Sequence, residues 1–111
     1  MFDIYNNYRE QFIYGRTATA NTTITLLTPT SSFRAVITGT DIANSSGASG
    51  TCYITFGNLA GIRAVVANLL ASTTLQYVFP NGLDNNVYDQ TIHAVSSVVP
   101  MDVLLRYKEV N

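Results

Sequence analysis

Few side chains in this sequence can do chemistry. Its one histidine, His93, stands in Thr91-Ile92-His93-Ala94-Val95, and its one cysteine, Cys52, in Thr51-Cys52-Tyr53-Ile54-Thr55-Phe56. A zinc site needs three or four nitrogen or sulfur ligands, and His93 has no second histidine or cysteine at ligand spacing. A histidine-based triad needs a positioned nucleophile and an orienting acid. Ser96, Ser97 and Asp89 are close in sequence, but so is almost any serine of this chain, and a strand histidine is the expected reading. Cys52 shares an apolar strand face with Ile54 and Phe56, with no base or cation beside it to lower its pKa. It is expected to be a buried, inert thiol.

The acids are Asp3, Glu10, Asp41, Asp84, Asp89, Asp102 and Glu109. Hydrolysis by paired carboxylates needs two of them facing across a cleft, yet five of the seven fall in turn-like segments or near chain ends. Asp84-Asn85-Asn86-x-x-Asp89 offers oxygens to calcium but lacks the glycine and closing glutamate of a calcium loop, so a turn is expected. Gly57-Asn58-Leu59-Ala60-Gly61 has no Lys-Ser/Thr after its glycines and is no phosphate cradle. Two glycosylation sequons, Asn21-Thr22-Thr23 and Asn44-Ser45-Ser46, are about what chance supplies in so Asn-, Ser- and Thr-rich a chain. The expectation is a non-enzymatic chain with no catalytic residue, metal or cofactor.

The elements that must position these residues are strands. Val, Ile and Thr make up 32 of the 111 residues, and their branched side chains suit a pleated surface. Alternation puts Ile24 and Leu26 on one face of Thr22–Thr28, and Cys52, Ile54 and Phe56 on one face of Thr51–Phe56. It likewise groups Leu75, Tyr77 and Phe79 within Thr74–Phe79. In the last segment Met101, Val103, Leu105 and Tyr107 point inward while Asp102, Arg106 and Lys108 point outward. Pro29-Thr30-Ser31-Ser32, Asn44 to Gly50 (read as a hairpin tip), Pro80-Asn81-Gly82 (read as a tight turn), Asp84-Asn85-Asn86 and Ser96-Ser97 punctuate these runs. Gly61 to Ala71 also fits a helical face through Leu59, Ile62, Val66 and Leu69-Leu70, with strand preferred. About eight short strands at this spacing predict an all-β antiparallel sandwich.

Charged residues make up 12% of the chain and the net charge is -1, against roughly 25% charged in an average domain. Six Lys+Arg against seven Asp+Glu give no basic excess for nucleic acid. The longest apolar stretch, Leu59 to Ala71, is thirteen residues and too short for a membrane span, which needs about 20. No basic region followed by an apolar run opens the chain, so no secretory signal is expected. Thr, Ser, Asn and Gly stand where charges usually do. Such a surface can be covered by neighbours without stranding many unpaired charges.

The first fourteen residues hold Phe2, Tyr5, Tyr8, Phe12 and Tyr14, five of the chain's twelve aromatics. They are read as an aromatic arm over residues 1–16, ahead of a single sandwich domain over 17–111. Asp3 is placed to cap a short helix, and an extended arm is the other option. The rings either pack on the chain's own sandwich or cross onto a neighbour, since aromatics are enriched at interfaces.

From Thr25-Leu26-Leu27-Thr28-Pro29-Thr30-Ser31-Ser32-Phe33-Arg34-Ala35-Val36-Ile37-Thr38-Gly39-Thr40 onward, the chain resembles small β-sandwich proteins of tailed-phage virions. The small-residue run Ser45-Ser46-Gly47-Ala48-Ser49-Gly50-Thr51, the aromatic strand to Phe56-Gly57, Phe79-Pro80-Asn81-Gly82-Leu83 and the closing Arg106-Tyr107-Lys108-Glu109-Val110 continue the pattern over about residues 22–110. The resemblance implies a jelly-roll-like capsid decoration (cement) protein. Such a protein is made in the host cytoplasm and sits on the capsid exterior. It would be a homotrimer, partnered by the major capsid protein, with neither nucleic acid nor membrane as a partner. Phe2, Tyr5, Tyr8, Phe12 and Tyr14 are then the expected subunit or capsid contacts. The competing expectation is a tail, receptor-binding or carbohydrate-binding module, with Tyr88 stacking on a sugar beside Asp84, Asn85, Asn86 and Asp89.

Overall fold

Branched and aromatic residues at alternate positions keep the backbone extended, and eight strands result. They are β1 (Glu10–Arg16), β2 (Ile24–Leu27), β3 (Arg34–Asn44), β4 (Gly50–Phe56), β5 (Ile62–Leu69), β6 (Thr74–Leu83), β7 (Ile92–Ser96) and β8 (Met101–Val110). The computed structural model describes residues 8–57 and 62–111; Phe2, Tyr5 and Leu59 lie outside them. Two four-stranded sheets form, in the orders β1-β8-β3-β6 and β2-β7-β4-β5. The antiparallel pairs β1·β8, β2·β7, β3·β6 and β4·β5 nest one inside the next. That nesting, split over two facing sheets, is a jelly roll.

The inner faces are those the alternation predicts, except that Leu75, grouped with Tyr77 and Phe79, stays exposed near the start of β6. Cys52 and Ile54 are fully buried and Phe56 nearly so; Met101, Val103, Leu105 and Tyr107 line the opposite sheet; and Tyr77 and Phe79 pack on the same core. In β5 the burial alternates strand-fashion, with Val65, Ala67 and Leu69 inward and Ile62 and Val66 exposed. The helical face through Ile62 and Val66 is therefore not used.

Two turn readings are corrected. Asn44 to Gly50 is not a hairpin tip, because β3 and β4 belong to different sheets and the segment crosses between them. At its end a Cβ on Gly50 would stand 2.4 Å from Val98 Cγ2, so glycine there lets the corner close. Pro80-Asn81-Gly82 is not a tight turn but an irregularity inside β6. The β3·β6 register jumps from Gly39↔Val78 to Ile37↔Leu83, and Gly82 takes φ 74° within the extra residues. Proline and positive-φ glycine serve a bulge as readily as a turn, and edge strands such as β6 tolerate both.

From Glu10 onward, the segment read as an arm is strand β1. Its seven residues pair with β8 without a shift, from Glu10↔Lys108 to Arg16↔Asp102. Gly15 bears on the facing sheet instead, since a Cβ there would meet Leu26 Cδ2 of β2 at 2.5 Å. Periodicity alone does not expose that requirement, so the aromatics drew attention and the strand did not.

Candidate functional site

Pairing β1, β8, β3 and β6 side by side brings one set of alternate residues to the outer face of the first sheet. The cross-strand rows are Arg16, Asp102, Ala43 and Thr74; then Tyr14, Leu104, Asp41 and Gln76; then Phe12, Arg106, Gly39 and Val78. Phe12 is 74% exposed, Tyr14 59% and Val78 64%. Large apolar groups thus stand at both margins of a face whose middle is occupied by Leu104 and by ion pairs.

Those charges are paired within the face. Arg106 lies across Gly39 to reach Asp41, with Nη1 3.1 Å from Oδ2. A Cβ on Gly39 would stand 2.7 Å from the Arg106 guanidinium, so glycine is what lets the side chain cross the strand. Glu10 accepts a hydrogen bond from the Thr38 hydroxyl at 2.6 Å and sits opposite Lys108 in the ladder. Below them Glu10, Thr38, Val78, Pro80, Asn81 and Lys108 line a shallow groove of about 200 Å³, its wall raised by the β6 bulge.

Asp102 anchors the other end. It accepts from Arg16 Nε (2.6 Å) and Nη2 (3.0 Å), from the Tyr14 hydroxyl (2.5 Å) and from the Ser45 hydroxyl (2.7 Å). The Arg16 guanidinium, with help from Tyr14 and Ser45, holds this carboxyl well below the usual carboxylate range against an opposing effect of burial. Its stabilisation is complete above the ordinary aspartate pKa near 3.9 and is lost as pH falls toward the depressed folded value. Asp102→Asn is therefore expected to lower stability at pH 7 and at pH 5, with the gap to the native chain narrowing steadily below pH 4. Urea titrations at pH 7, 5 and 3 check this; a gap of the same size at all three would contradict the clamp.

Of the expected contact residues, Phe12 and Tyr14 stand on this face. Tyr8 is half-buried and its hydroxyl donates to Asn111 Oδ1 at 3.3 Å, near the chain's other end. Phe2 and Tyr5 lie outside the described residues. Val78 and Leu104 were not singled out by sequence, although alternation already assigned both to the face opposite their buried neighbours.

The remaining chemistry-bearing groups are held by the scaffold. His93 Nε2 and Thr91 Oγ1 are 2.7 Å apart on the outer side of the second sheet. Arg63 stacks over the Tyr53 ring at 4.2 Å there. Cys52 is fully buried, and burial pushes its thiol up to about 12. In the 84–90 loop, Asp84 is ion-paired to Arg34 at 2.9 Å and also caps Asn86 N, while Asp89 accepts from Ser32 N. Arg34 donates to the Tyr88 hydroxyl and lies 5.3 Å from its ring centroid, and Asn85 donates to Gln90. Among the described residues no group of three His, Cys, Asp or Glu is placed to hold a metal.

No protein-family model matches the chain, and no curated protein sequence does. Solved structures do overlap it. A subunit of the disulfide-linked pili of Bacillus endospore appendages superposes with a TM-score of 0.54 at 10% identity, covering 90% of this chain and 87% of that one. This likeness shows the fold. Infectious bursal disease virus, strain Gx, overlaps at a TM-score of 0.38 and 13% identity over 91% of this chain but 30% of the viral one. At that score the overlap carries no weight.

Proposed function

We propose that the chain is a structural virion protein, a phage capsid decoration subunit. It would act as a homotrimer that bridges major capsid subunits on the capsid exterior after synthesis in the host cytoplasm. The observation that carries this reading is the outer face of the first sheet. It presents exposed Phe12, Tyr14 and Val78 around charges already neutralised by one another. Burying such a face strands little unpaired charge, whose desolvation is what usually opposes association. Exposed apolar patches rimmed by polar groups mark interaction surfaces. The jelly roll, a fold used by capsid and lectin domains alike, is compatible with the role without specifying it. The carbohydrate-binding alternative has less support, because the polar groups of the 84–90 loop are engaged with Arg34, Ser32 and one another.

Co-sedimentation with heads of the encoding phage, stripped of this protein, tests the reading. Native protein is expected to pellet with the heads, and Val78→Lys to bind about tenfold more weakly, the loss of roughly 1.4 kcal/mol. Heads that leave the native protein in the supernatant would overturn it.

A further inference from the structure

Ten asparagines occur in the chain, and Asn81 is the one followed by glycine. The backbone nitrogen that follows an asparagine can attack its side-chain Cγ, and any side chain on that next residue hinders the approach. Glycine has none, so the backbone can come close. The fold also leaves this pair outside the ladder. Residues 79–82 have no partner in the β3·β6 register, which passes from Gly39↔Val78 to Ile37↔Leu83. Asn81 is exposed on the groove wall, and among the described residues its side chain has no hydrogen-bond partner. Gly82 at φ 74° holds a conformation that residues with a side chain rarely adopt. The bulge itself thus calls for the residue that leaves Asn81 open to attack. Elsewhere asparagines are better guarded. Asn44 is buried with both ends of its amide bonded, Asn68 accepts from Thr51 Oγ1, and Asn85 donates to Gln90. Asn21 and Asn86 precede the branched Thr22 and Val87.

We propose that Asn81 is a self-modification site, which converts in the folded protein to an acidic residue with water as the only co-reactant. The Gly82 nitrogen loses its proton to solvent and bonds to Asn81 Cγ. The Cγ–Nδ2 bond breaks, ammonia leaves with a proton from solvent, and a cyclic imide remains. Water then adds to one of the two ring carbonyls and opens it. Cleavage between the nitrogen and Cγ gives aspartate. Cleavage between the nitrogen and the main-chain carbonyl carbon gives isoaspartate, whose backbone runs through the former side chain. The sum is amide plus water to carboxylate plus ammonium, with nothing oxidised or reduced. The product adds a negative charge to a groove where Glu10 and Lys108 now supply one charge of each sign. The consequence for docking rests on the decoration reading above. A subunit that ages unbound gains a charge on the face that must be buried, and its affinity falls.

Peptide mapping by mass spectrometry of the full chain tests this, on folded protein and on protein unfolded in urea, both held at pH 8 and 37 °C. Acid is expected at position 81 in both samples, as a mixture of aspartate and isoaspartate. At position 44 it is expected only in the unfolded one. Conversion at 81 should be slower at pH 6, because the attacking nitrogen must lose its proton. Asn81→Gln, which would have to close a larger ring, should keep its amide over the same period. A folded chain that keeps Asn81 intact as it keeps Asn44, or a conversion indifferent to pH, would overturn the site. Asn81→Asp, a stable stand-in for the product, is expected to bind stripped phage heads about threefold more weakly than the native protein. Equal binding would sink the docking consequence alone, and heads that bind neither protein would sink the decoration reading while the site stands.

Discussion

Replacing Asn44 with alanine is expected to cost about 3 kcal/mol of stability. Asn44 is 2% exposed at the end of β3. Its Nδ2 donates to the carbonyls of Ala48 (2.8 Å), Leu70 (3.2 Å) and Leu69 (3.4 Å), while Oδ1 accepts from Ser46 N (3.0 Å) and Ser46 Oγ (2.7 Å). One amide thereby ties the corner between the sheets to the β5–β6 connection. Alanine leaves several of these groups short of a partner in a buried site, and each costs about 1–3 kcal/mol. Thermal unfolding should fall by more than about 10 °C for a domain of this size. The comparison is Asn21→Ala, at an exposed position in the other sequon, where φ is 58° and alanine is expected to cost about 1 kcal/mol, well short of the Asn44 loss. Similar shifts for the two variants would mean that Asn44 does not hold the corner.

Leu105→Ala is expected to destabilise by about 3–4 kcal/mol, in the range of fully buried leucine truncations. Its neighbour Leu104→Ala should cost about 1 kcal/mol or less. Leu105 is fully buried against the opposite sheet, whereas Leu104 is half-buried on the outer face beside Tyr14 and Asp41. The contrast between adjacent, identical residues isolates the sandwich interior from intrinsic strand preference. Chemical denaturation of the two variants measures it. A Leu104 loss equal to that of Leu105 would place the wrong face inward.

The sandwich was legible because period-2 alternation is a physical consequence of facing a core. It put Cys52, Ile54, Phe56, Met101, Val103, Leu105 and Tyr107 on the correct side. Strand order was not legible, since alternation is blind to which neighbour a strand takes. The corner at Asn44 and the bulge at Gly82 were misread for one reason. Gly, Asn, Ser and Pro mark departures from a straight strand without saying whether the chain reverses, changes sheet or bulges. The candidate face was half legible. Phe12 and Tyr14 stood out as aromatics, but Val78 and the Gly39 crossing of Arg106 depend on which strands lie side by side. In β1 the clustered rings suggested an arm, whereas the ladder to β8 makes Phe12 and Tyr14 part of the sheet.

The nested pairing also orders events in time. Only β4 and β5 are both partners and neighbours in sequence. Every other pair joins segments further apart, out to Glu10 and Lys108. Loop-closure entropy rises with the length enclosed, and earlier pairs shorten the loops that later ones must close. The sheets are thus most easily zipped from the β4–β5 pair outward, which makes the β1–β8 ladder the last to form, and contacts this distant in sequence make for slow folding. The strand that completes the monomer is also an edge strand carrying the exposed rings of Phe12 and Tyr14. A half-folded chain has no ordered β1 to offer, so a partner docking on the face proposed above would meet only finished molecules.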